Sequence, residues 1–307
     1  MKRDLTQVKR FAESLRTYAQ VNNLPVDLLE KDVWITYILQ EIRSLSDSKY
    51  LAFKGGTCLV KAYLGYYRFS EDIDLTWLGP KIHRRVFRQH VIAPVMEKLS
   101  LEWNIHDRVP TGIAGTHSGG VMSYFLLSPG PTRAKLKVTV AFDERMESKS
   151  TLLKLHHIPI TSTNRRELST TFGAIGVDYF KEPDFWCYTL TEIACEKIRA
   201  ILTRKIQFAR SRDLVDLFRI ANGRNIQKVA PDAMVLSKIK WAMKIKSYAN
   251  ELKRTTHDLG KHLEQLVSES QSDPVFLTKV ASEPLAKFRE ELESYLREDI
   301  LKKIKVE

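Results

Sequence analysis

Two carboxylates separated by one residue are the strongest sign of chemistry in this sequence. Asp72 and Asp74 lie in the alternating stretch DIDLTWL at 72–78, which predicts a half-buried β-strand. On a strand, residues i and i+2 point to the same face, ~6.5–7 Å apart at the Cα atoms, while Ile73 and Leu75 face the core. Neighbouring carboxylates repel unless a cation lies between them, and Mg²⁺ prefers carboxylate and phosphate oxygens. We therefore expect Asp72 and Asp74 to hold one or two Mg²⁺ ions.

A pair of glycines precedes these aspartates by 16 residues, counted from Gly56 to Asp72. Gly55 and Gly56 come just before a predicted helix, where backbone N–H groups are able to approach a phosphate, and Thr57 adds a hydroxyl. Taken singly, a Gly-Gly pair is usually a turn and a D-x-D pair is usually a solvated strand face. Their order and spacing are more specific, and they indicate a triphosphate site beside a metal site.

The elements that would position these residues are mixed up to about residue 180 and helical after it. Helices are predicted at 4–20, 27–44, 57–65 and 82–100, the last one bounded or interrupted at Pro94, and strands at 72–78, 120–128 and 134–143. We predict an α+β N-terminal domain at 1–175 and a helical C-terminal domain at 176–307 that completes the active site.

The distribution of charge gives a hint about partners. Lys and Arg number 49 against 37 Asp and Glu, and the segment 192–261 alone holds 16 basic and 7 acidic residues. A clustered positive excess attracts polyanions such as nucleic acids, although a solvated basic surface without a specific partner explains it as well.

Composition excludes several other classes of protein. No apolar run is long enough to span a bilayer, and the basic N-terminus lacks the apolar stretch of a secretory signal, so we expect a cytoplasmic protein. The three scattered cysteines fit neither a disulfide framework nor a zinc site, and we expect inert thiols.

Four stretches together resemble one protein family. "KGGTCLVKAY…RFSEDIDL" is similar to the glycine and D-x-D signature of the AbiEii/AbiGii toxin family, which includes the MenT-type toxins. "LLEKDVWITYIL" resembles that family's E-K-D helix, and "EIACEKIRAILTR" and "RSRDLVDLFRI" resemble its C-terminal motifs. The resemblance implies a polymerase-β-like nucleotidyltransferase fold with a mixed sheet and a helical C-terminal domain.

The resemblance also implies roles for individual residues. Nucleotide binding falls on the glycine segment and on residues near both motifs: Lys54, Gly55, Gly56, Thr57, Ser70 and Arg204. Catalysis falls on Asp72, Asp74, Lys197 and Asp213. Many polymerase-like transferases have a third acid on a later strand, where this chain has Thr139. Asp143 stands four residues on, so either two carboxylates suffice or Asp143 substitutes.

The C-terminal motif residues also have ordinary explanations. Lys197 lies within an apolar helical stripe, where a lysine either extends its ammonium to solvent or meets an anion, and the resemblance assigns it to nucleotide phosphates. Asp213 in a first helical turn suits the helix dipole, and the resemblance makes it the second-domain acid, with Asp216 as a weaker candidate. Arg210 and Arg212 either contact phosphates or are simply exposed.

Lysines alternate with aromatic residues in "SKIKWAMKIKSYANELKR" at 237–254. Lys238, Lys240, Lys244 and Lys246 with Trp241 and Tyr248 are compatible with an RNA-binding helix, and equally with an amphipathic helix whose aromatic residues pack inward.

The site residues predict transfer of a nucleoside monophosphate from an NTP, and the resemblance together with the basic C-terminal half favours the 3′ end of an RNA, with tRNA first, as acceptor. The resemblance further implies that the protein is a toxin checked by a cognate antitoxin. Two alternatives stay open. The same fold could modify a protein hydroxyl, Ser70 itself being a candidate, or the chain could be a non-catalytic RNA-binding protein on a transferase scaffold.

Overall fold

The computed structural model of the protein describes residues 5–99, 102–104, 117–125, 133–142, 144–159, 166, 169–170, 179–204 and 211–304. The chain forms two compact units. Unit 1 comprises Met1–Val109, His117–Asp143 and Thr151–Cys187. Unit 2 comprises Pro110–Thr116, Glu144–Ser150 and Tyr188–Glu307.

Unit 1 contains a mixed β-sheet. Its strands are β1 Leu51–Lys54, β2 Asp72–Trp77, β3 Glu102–Asn104, β4 His117–Phe125, β5 Arg133–Ala141, β6 Thr151–Lys154 and β7 Asp184–Cys187. Their order across the sheet is β3-β4-β5-β2-β1-β7-β6. The pairs β2–β5 and β1–β7 are parallel, whereas β1–β2, β3–β4, β4–β5 and β6–β7 are antiparallel. The predicted α+β class with a mixed sheet is confirmed.

The helices of unit 1 follow the predicted pattern with shifted ends. Their bounds are α1 Leu5–Val21, α2 Val26–Ser44, α3 Gly55–Cys58, α4 Arg84–Phe87 and α5 Ala93–Leu99. Helix α3 continues as π-helical turns through Leu59–Leu64, and α4 continues in the same way through Arg88–Ile92. The wide π-helical turn directly before α5 accommodates Pro94, whose ring would otherwise clash with the preceding turn, so the predicted helix is altered there without ending.

Sequence reasoning found the long strands and missed the short ones. The strands predicted at 120–128 and 134–143 correspond to β4 and β5. Strands β1, β3, β6 and β7, with three or four residues each, were not predicted. A four-residue strand has too few alternations for periodicity to reveal it.

Unit 2 is helical in its described residues. The helices are α6 Leu190–Thr203, α7 Ser211–Ala221, α8 Ile226–Val229, α9 Asp232–Met243, α10 Lys246–His257, α11 Leu259–Ser272 and α12 Ser282–Tyr295. Helix α6 starts at a side-chain cap, because the Thr189 hydroxyl accepts a hydrogen bond from the Glu192 backbone N–H. No helix in the described part of the chain is both long enough and apolar enough to cross a membrane.

The three cysteines are buried and none forms a disulfide. Burial raises the pKa of the Cys195 thiol to about 12, so this side chain stays a neutral thiol at physiological pH. The prediction of inert thiols agrees with this placement.

Candidate active site

Strand β2 presents its two aspartates on one face. Asp72 and Asp74 are half-buried, whereas Ile73 and Leu75 between and after them are fully buried. Asp74 pairs in register with Lys54 on β1 and with Thr139 on β5, and Asp72 pairs with Lys137. Paired residues of neighbouring strands point to the same side of a sheet. The Asp-bearing face therefore carries Lys54, Asp74 and Thr139 in one row and Asp72 with Lys137 in the next.

The glycine turn brings backbone close to one of these carboxylates. Gly55 has a φ of +76°, and a Cβ built on it would lie 2.7 Å from Asp74 Oδ2. Only glycine meets both conditions without strain, since other residues rarely adopt this φ and any side chain would overlap the carboxylate. Helix α3 begins at Gly55, so the Asp74 carboxylate lies beside the first residue of α3.

A hydroxyl pair joins the start of α3 to the start of β2. Thr57 is buried, its hydroxyl donates to the Asp72 carbonyl oxygen, and its Oγ1 lies 2.6 Å from Ser70 Oγ. The Thr57 side chain, which the sequence assigned to phosphate, thus holds the glycine turn against the strand that carries the aspartates. Because the Thr57 hydroxyl is engaged in these contacts, Thr57 has only its backbone N–H to offer to an anion.

The position of a third acid is occupied by a neutral side chain. Thr139 is the register partner of Asp74, and its hydroxyl oxygen is buried with no hydrogen-bond partner among the described residues. Asp143, the alternative third acid, lies outside the described residues. Within the described part of the chain, no group of three or more His, Cys, Asp or Glu side chains is placed to hold a metal ion. The described residues place two carboxylates, Asp72 and Asp74, on this face, and oxygen donors of this kind suit a hard cation.

In unit 2, the predicted basic and acidic residues form one compact cluster. The Lys197 ammonium lies 2.9 Å from Asp213 Oδ1 and 2.5 Å from Asp216 Oδ2, and Arg204 Nη1 lies 2.7 Å from Asp213 Oδ2. Lys197 is 6% exposed and the Asp216 side chain is fully buried. The ammonium is thus held by two carboxylates and does not extend to solvent. Arg212 pairs instead with Asp273 at 3.2 Å, and Arg210 lies outside the described residues.

The sequence as a whole matches one family model. The model described as "Nucleotidyl transferase AbiEii toxin, Type IV TA system" matches residues 37–301. The chain belongs to the AbiEii family. The resemblance carried by the glycine, D-x-D and C-terminal motifs is thereby confirmed. The protein is a nucleotidyltransferase toxin of a type IV toxin–antitoxin system, which implies an antitoxin as its counterpart.

The AbiEii chain also matches solved structures. Seven chains of solved structures match it, among them one described as "Crystal structure of putative nucleotidyltransferase from H. pylori". That match has 16% sequence identity and a TM-score of 0.48, and it covers 88% of this chain and 95% of the other. No curated protein matches the sequence.

Two cations near the AbiEii aspartates were missed by sequence reasoning. Arg68 is 3% exposed, its Nη1 donates to the Phe69 carbonyl at 2.8 Å, and a Cβ built on Gly56 would overlap its Nη2. Lys137 stands beside Asp72 through the β2–β5 register. The alternation of KLKVTV could have indicated Lys137, and the position of Arg68 between the glycine and aspartate motifs could have indicated that residue.

The E-K-D helix supports both ends of the AbiEii glycine–aspartate segment. Lys31 Nζ lies 2.5 Å from Glu71 Oε2, just before β2. Asp32 is buried, and the Lys61 ammonium on the continuation of α3 lies 3.0 Å from its Oδ1. Tyr66 and Tyr179 also donate their hydroxyls to Asp32, at 3.1 and 3.0 Å. Burial lowers the pKa of Lys61 and Asp32 opposes that effect, while burial raises the pKa of both tyrosines.

One lysine of the C-terminal Lys-aromatic stretch is structural. Lys238 is 1% exposed, and its ammonium lies 2.6 Å from Glu192 and 2.8 Å from Glu196. Burial lowers the pKa of Lys238, and the charges of Glu196 and Glu192 outweigh it, so the net pKa is raised. Lys238 is therefore held by two protein carboxylates, which neither alternative predicted, whereas Lys240, Lys244 and Lys246 are exposed.

Proposed function

We propose that the protein transfers a nucleoside monophosphate from an NTP to the 3′ end of an RNA, with tRNA the favoured acceptor. The observation that carries the proposal is the contact between Asp74 and the start of α3, where a Cβ on Gly55 would lie 2.7 Å from the carboxylate. The carboxylate thus lies next to the start of a helix, whose first N–H groups have no partner within the helix, and that arrangement suits an anion together with its counter-cation.

The residues present fit a divalent metal of the Mg²⁺ type. Asp72 and Asp74 share one strand face and offer only oxygen ligands, which is the donor set that Mg²⁺ takes together with phosphates. When bound, such an ion neutralises phosphate charge and polarises the phosphorus toward a nucleophile. Thr139, which lies in the same row as Asp74, offers no charged ligand, so we assign metal binding to the two carboxylates.

The chain itself supplies binding and orientation. The N–H groups of Gly55, Gly56 and Thr57 are proposed to hold the triphosphate, and Lys54 is proposed to contribute positive charge from the same sheet face. The RNA 3′-hydroxyl oxygen bonds to the α-phosphorus and its proton passes to solvent, while the bond from that phosphorus to the bridging oxygen breaks and pyrophosphate leaves. Ser70, which contacts Thr57, is proposed to keep the turn in place.

The catalytic residues of unit 2 keep their predicted roles as part of the proposal. Lys197 and Arg204 are proposed to meet phosphate oxygens, and Asp213 to orient both cations, because its two carboxylate oxygens each contact one of them. Such pairing fixes the position of a lysine that would otherwise sample many conformations. Asp216 shares Lys197 and belongs to the same group.

The proposal is tested by incubating the purified full-length protein with total tRNA, Mg²⁺ and each α-³²P-labelled NTP in turn. The control is the Asp72→Asn, Asp74→Asn variant, which keeps the shape of both side chains and removes their charge. Label on tRNA with the wild type and not with the control supports the proposal and identifies the donor. Label on protein and none on tRNA overturns the RNA acceptor in favour of protein modification. Absence of label on both, with RNA bound equally by the two proteins, overturns the enzymatic proposal.

A further inference from the structure

Five exposed basic side chains lie on α9, on α10 and at the C-cap position that follows α9. We call them the α9–α10 basic face: Lys240, Lys244, Lys246, Lys253 and Arg254. The stretch 240–261 holds six basic residues and two acidic ones. The acids are Glu251, half-buried and 4.0 Å from Arg254, and Asp258, just after α10. The face therefore carries a clear positive excess.

Most other basic side chains of unit 2 that are described have carboxylate partners. The paired ones include Lys197, Arg199, Arg204, Arg212, Lys238, Arg289, Arg297, Lys302 and Lys303. In contrast, Lys240, Lys244 and Lys246 form no ion pair with any described residue. Lys240 and Lys244 stand four residues apart at the end of α9, a spacing at which like charges destabilise a helix. An external anion would relieve this repulsion.

The shape of the face favours a chain of anions over a single small one. From Lys246 to His257, α10 extends ~16 Å along its axis. Lys246 and Lys253 are seven residues apart, so their side chains emerge on one side of the helix and about two turns from each other. Charges spread along such a line meet successive phosphates of a nucleic-acid backbone, whereas a small anion is bound by groups that converge on one point.

The other exposed residues of α10 favour a nucleic acid over a membrane or a protein as the partner of this face. They are Ser247, Asn250 and His257, and α10 exposes no large apolar side chain in its described residues. A membrane-surface helix needs an apolar face to insert, and a protein interface usually has an aromatic or apolar centre. Lys, Arg, Ser and Asn side chains are the ones that contact nucleic-acid phosphates.

We infer that the α9–α10 basic face binds the phosphate backbone of the RNA acceptor, an inference that rests on the proposed function. Phosphate contacts position a nucleic acid without reading its sequence. The face therefore contributes affinity for RNA in general, and it leaves the choice of nucleotide donor to other residues.

The test neutralises three residues of the face in the full-length protein, with Lys246→Gln, Lys253→Gln and Arg254→Gln combined. The matched control combines Lys228→Gln, Lys279→Gln and Lys287→Gln, three exposed lysines of unit 2 outside α9 and α10, so the net charge changes equally. Binding of total tRNA is measured for both variants and the wild type across a salt series. We expect the face variant to lose at least about tenfold in affinity, and the slope of log K against log salt to fall by about two to three. The control should keep the wild-type slope.

Transfer kinetics separate this inference from the proposed function. With the face variant, we expect KM for tRNA to rise by the same factor as Kd, with kcat and the KM for NTP unchanged. If the wild type transfers nucleotide to tRNA while both variants bind tRNA alike, the inference is overturned and the proposed function stands. If the wild type transfers nothing but the face variant alone loses affinity and slope, the RNA surface stands and the proposed function fails. Loss of binding to phosphatidylserine vesicles without loss of tRNA binding would identify a membrane surface and overturn the inference.

Discussion

The carboxylate of Asp74 lies over the backbone of Gly55, so close that a Cβ there would be 2.7 Å from Oδ2. Residues from two motifs that are separated in the sequence thereby lie in contact. The carboxylate occupies the space that a side chain at position 55 would need, so only glycine fits there. Strand pairing produces the approach, since Lys54, directly before Gly55, is the register partner of Asp74.

Replacing Gly55 by alanine should disable the site through this contact. The new methyl group meets the Asp74 carboxylate and the backbone is strained at φ +76°, so we expect nucleotidyl transfer to fall at least about a hundredfold. The matched control is Gly223→Ala, because Gly223 has the same φ of +76° and nothing within 4 Å of an added Cβ. This control isolates the backbone strain, about 1–3 kcal/mol, which urea unfolding measures for both variants. Equal activity loss in the two variants would contradict the contact argument.

We expect the buried ion pair between Asp32 and Lys61 to stabilise the helical segment that begins at the glycine turn. Asp32→Asn leaves a buried ammonium without its carboxylate, and removing one partner of a buried pair costs about 3–5 kcal/mol in the free energy of unfolding. Urea unfolding with Asp27→Asn as control tests this, because Asp27 is exposed on the same helix. We expect Asp32→Asn combined with Lys61→Met to recover part of the loss, since no unpaired charge is then buried. A double variant as unstable as the single one would argue against the ion pair.

The aspartates and glycines of this site were predictable from local sequence patterns, whereas their neighbours on the sheet face depend on strand register. The alternation of β2 places Asp72 and Asp74 on one face regardless of what surrounds them, and the glycines mark a turn from their residue type alone. Lys137 joins that face only through the β2–β5 pairing, which connects residues about 65 positions apart, whereas the family resemblance had already indicated the position of Thr139. A single sequence contains no direct signal of such pairing.

Burial of charge was equally hard to predict from the sequence. Lys238 reads as one of several lysines on a basic helix, yet Glu192 and Glu196 on α6 hold it inside unit 2, while Lys240, two residues on, is exposed. Lys197 was expected either to extend to solvent or to meet an anion, and the structure provides the anions as two protein carboxylates. Such pairs depend on how helices distant in sequence pack.

Lys197 should prove essential for transfer beyond its part in the ion cluster. Lys197→Met leaves Asp213 and the buried Asp216 without their shared ammonium, so loss of stability would obscure loss of function. The double variant Lys197→Met, Asp216→Asn removes one negative charge as well and should recover stability. If Lys197 contacts the nucleotide, the double variant should stay at least about a hundredfold less active in the labelled-NTP assay while unfolding near the wild-type urea midpoint. Activity that returns together with stability would reduce Lys197 to a structural role.

His262 should make unit 2 sensitive to mild acid. Its imidazole is 1% exposed, its Nε2 lies 3.1 Å from the Ile201 carbonyl, and its Nδ1 is buried with no hydrogen-bond partner among the described residues. Burial lowers the pKa of His262 below its ordinary value of about 6.5, against the opposing hydrogen bond to Ile201. The folded state thus favours the neutral ring, so its stability is present above the unfolded pKa and is lost as the pH falls below that value toward the folded pKa.

The expected loss is at most about 1.4 kcal/mol per pH unit within that window, because a single proton is involved. Urea unfolding at about pH 7.5 and pH 5 measures this loss for the wild type and for two variants. His262→Gln keeps a donor toward Ile201 and does not titrate, so its unfolding free energy should change less between the two pH values. His257→Gln removes an exposed histidine nearby and should retain the wild-type difference. The assignment to His262 is wrong if the His257 variant, and not the His262 variant, flattens the pH dependence.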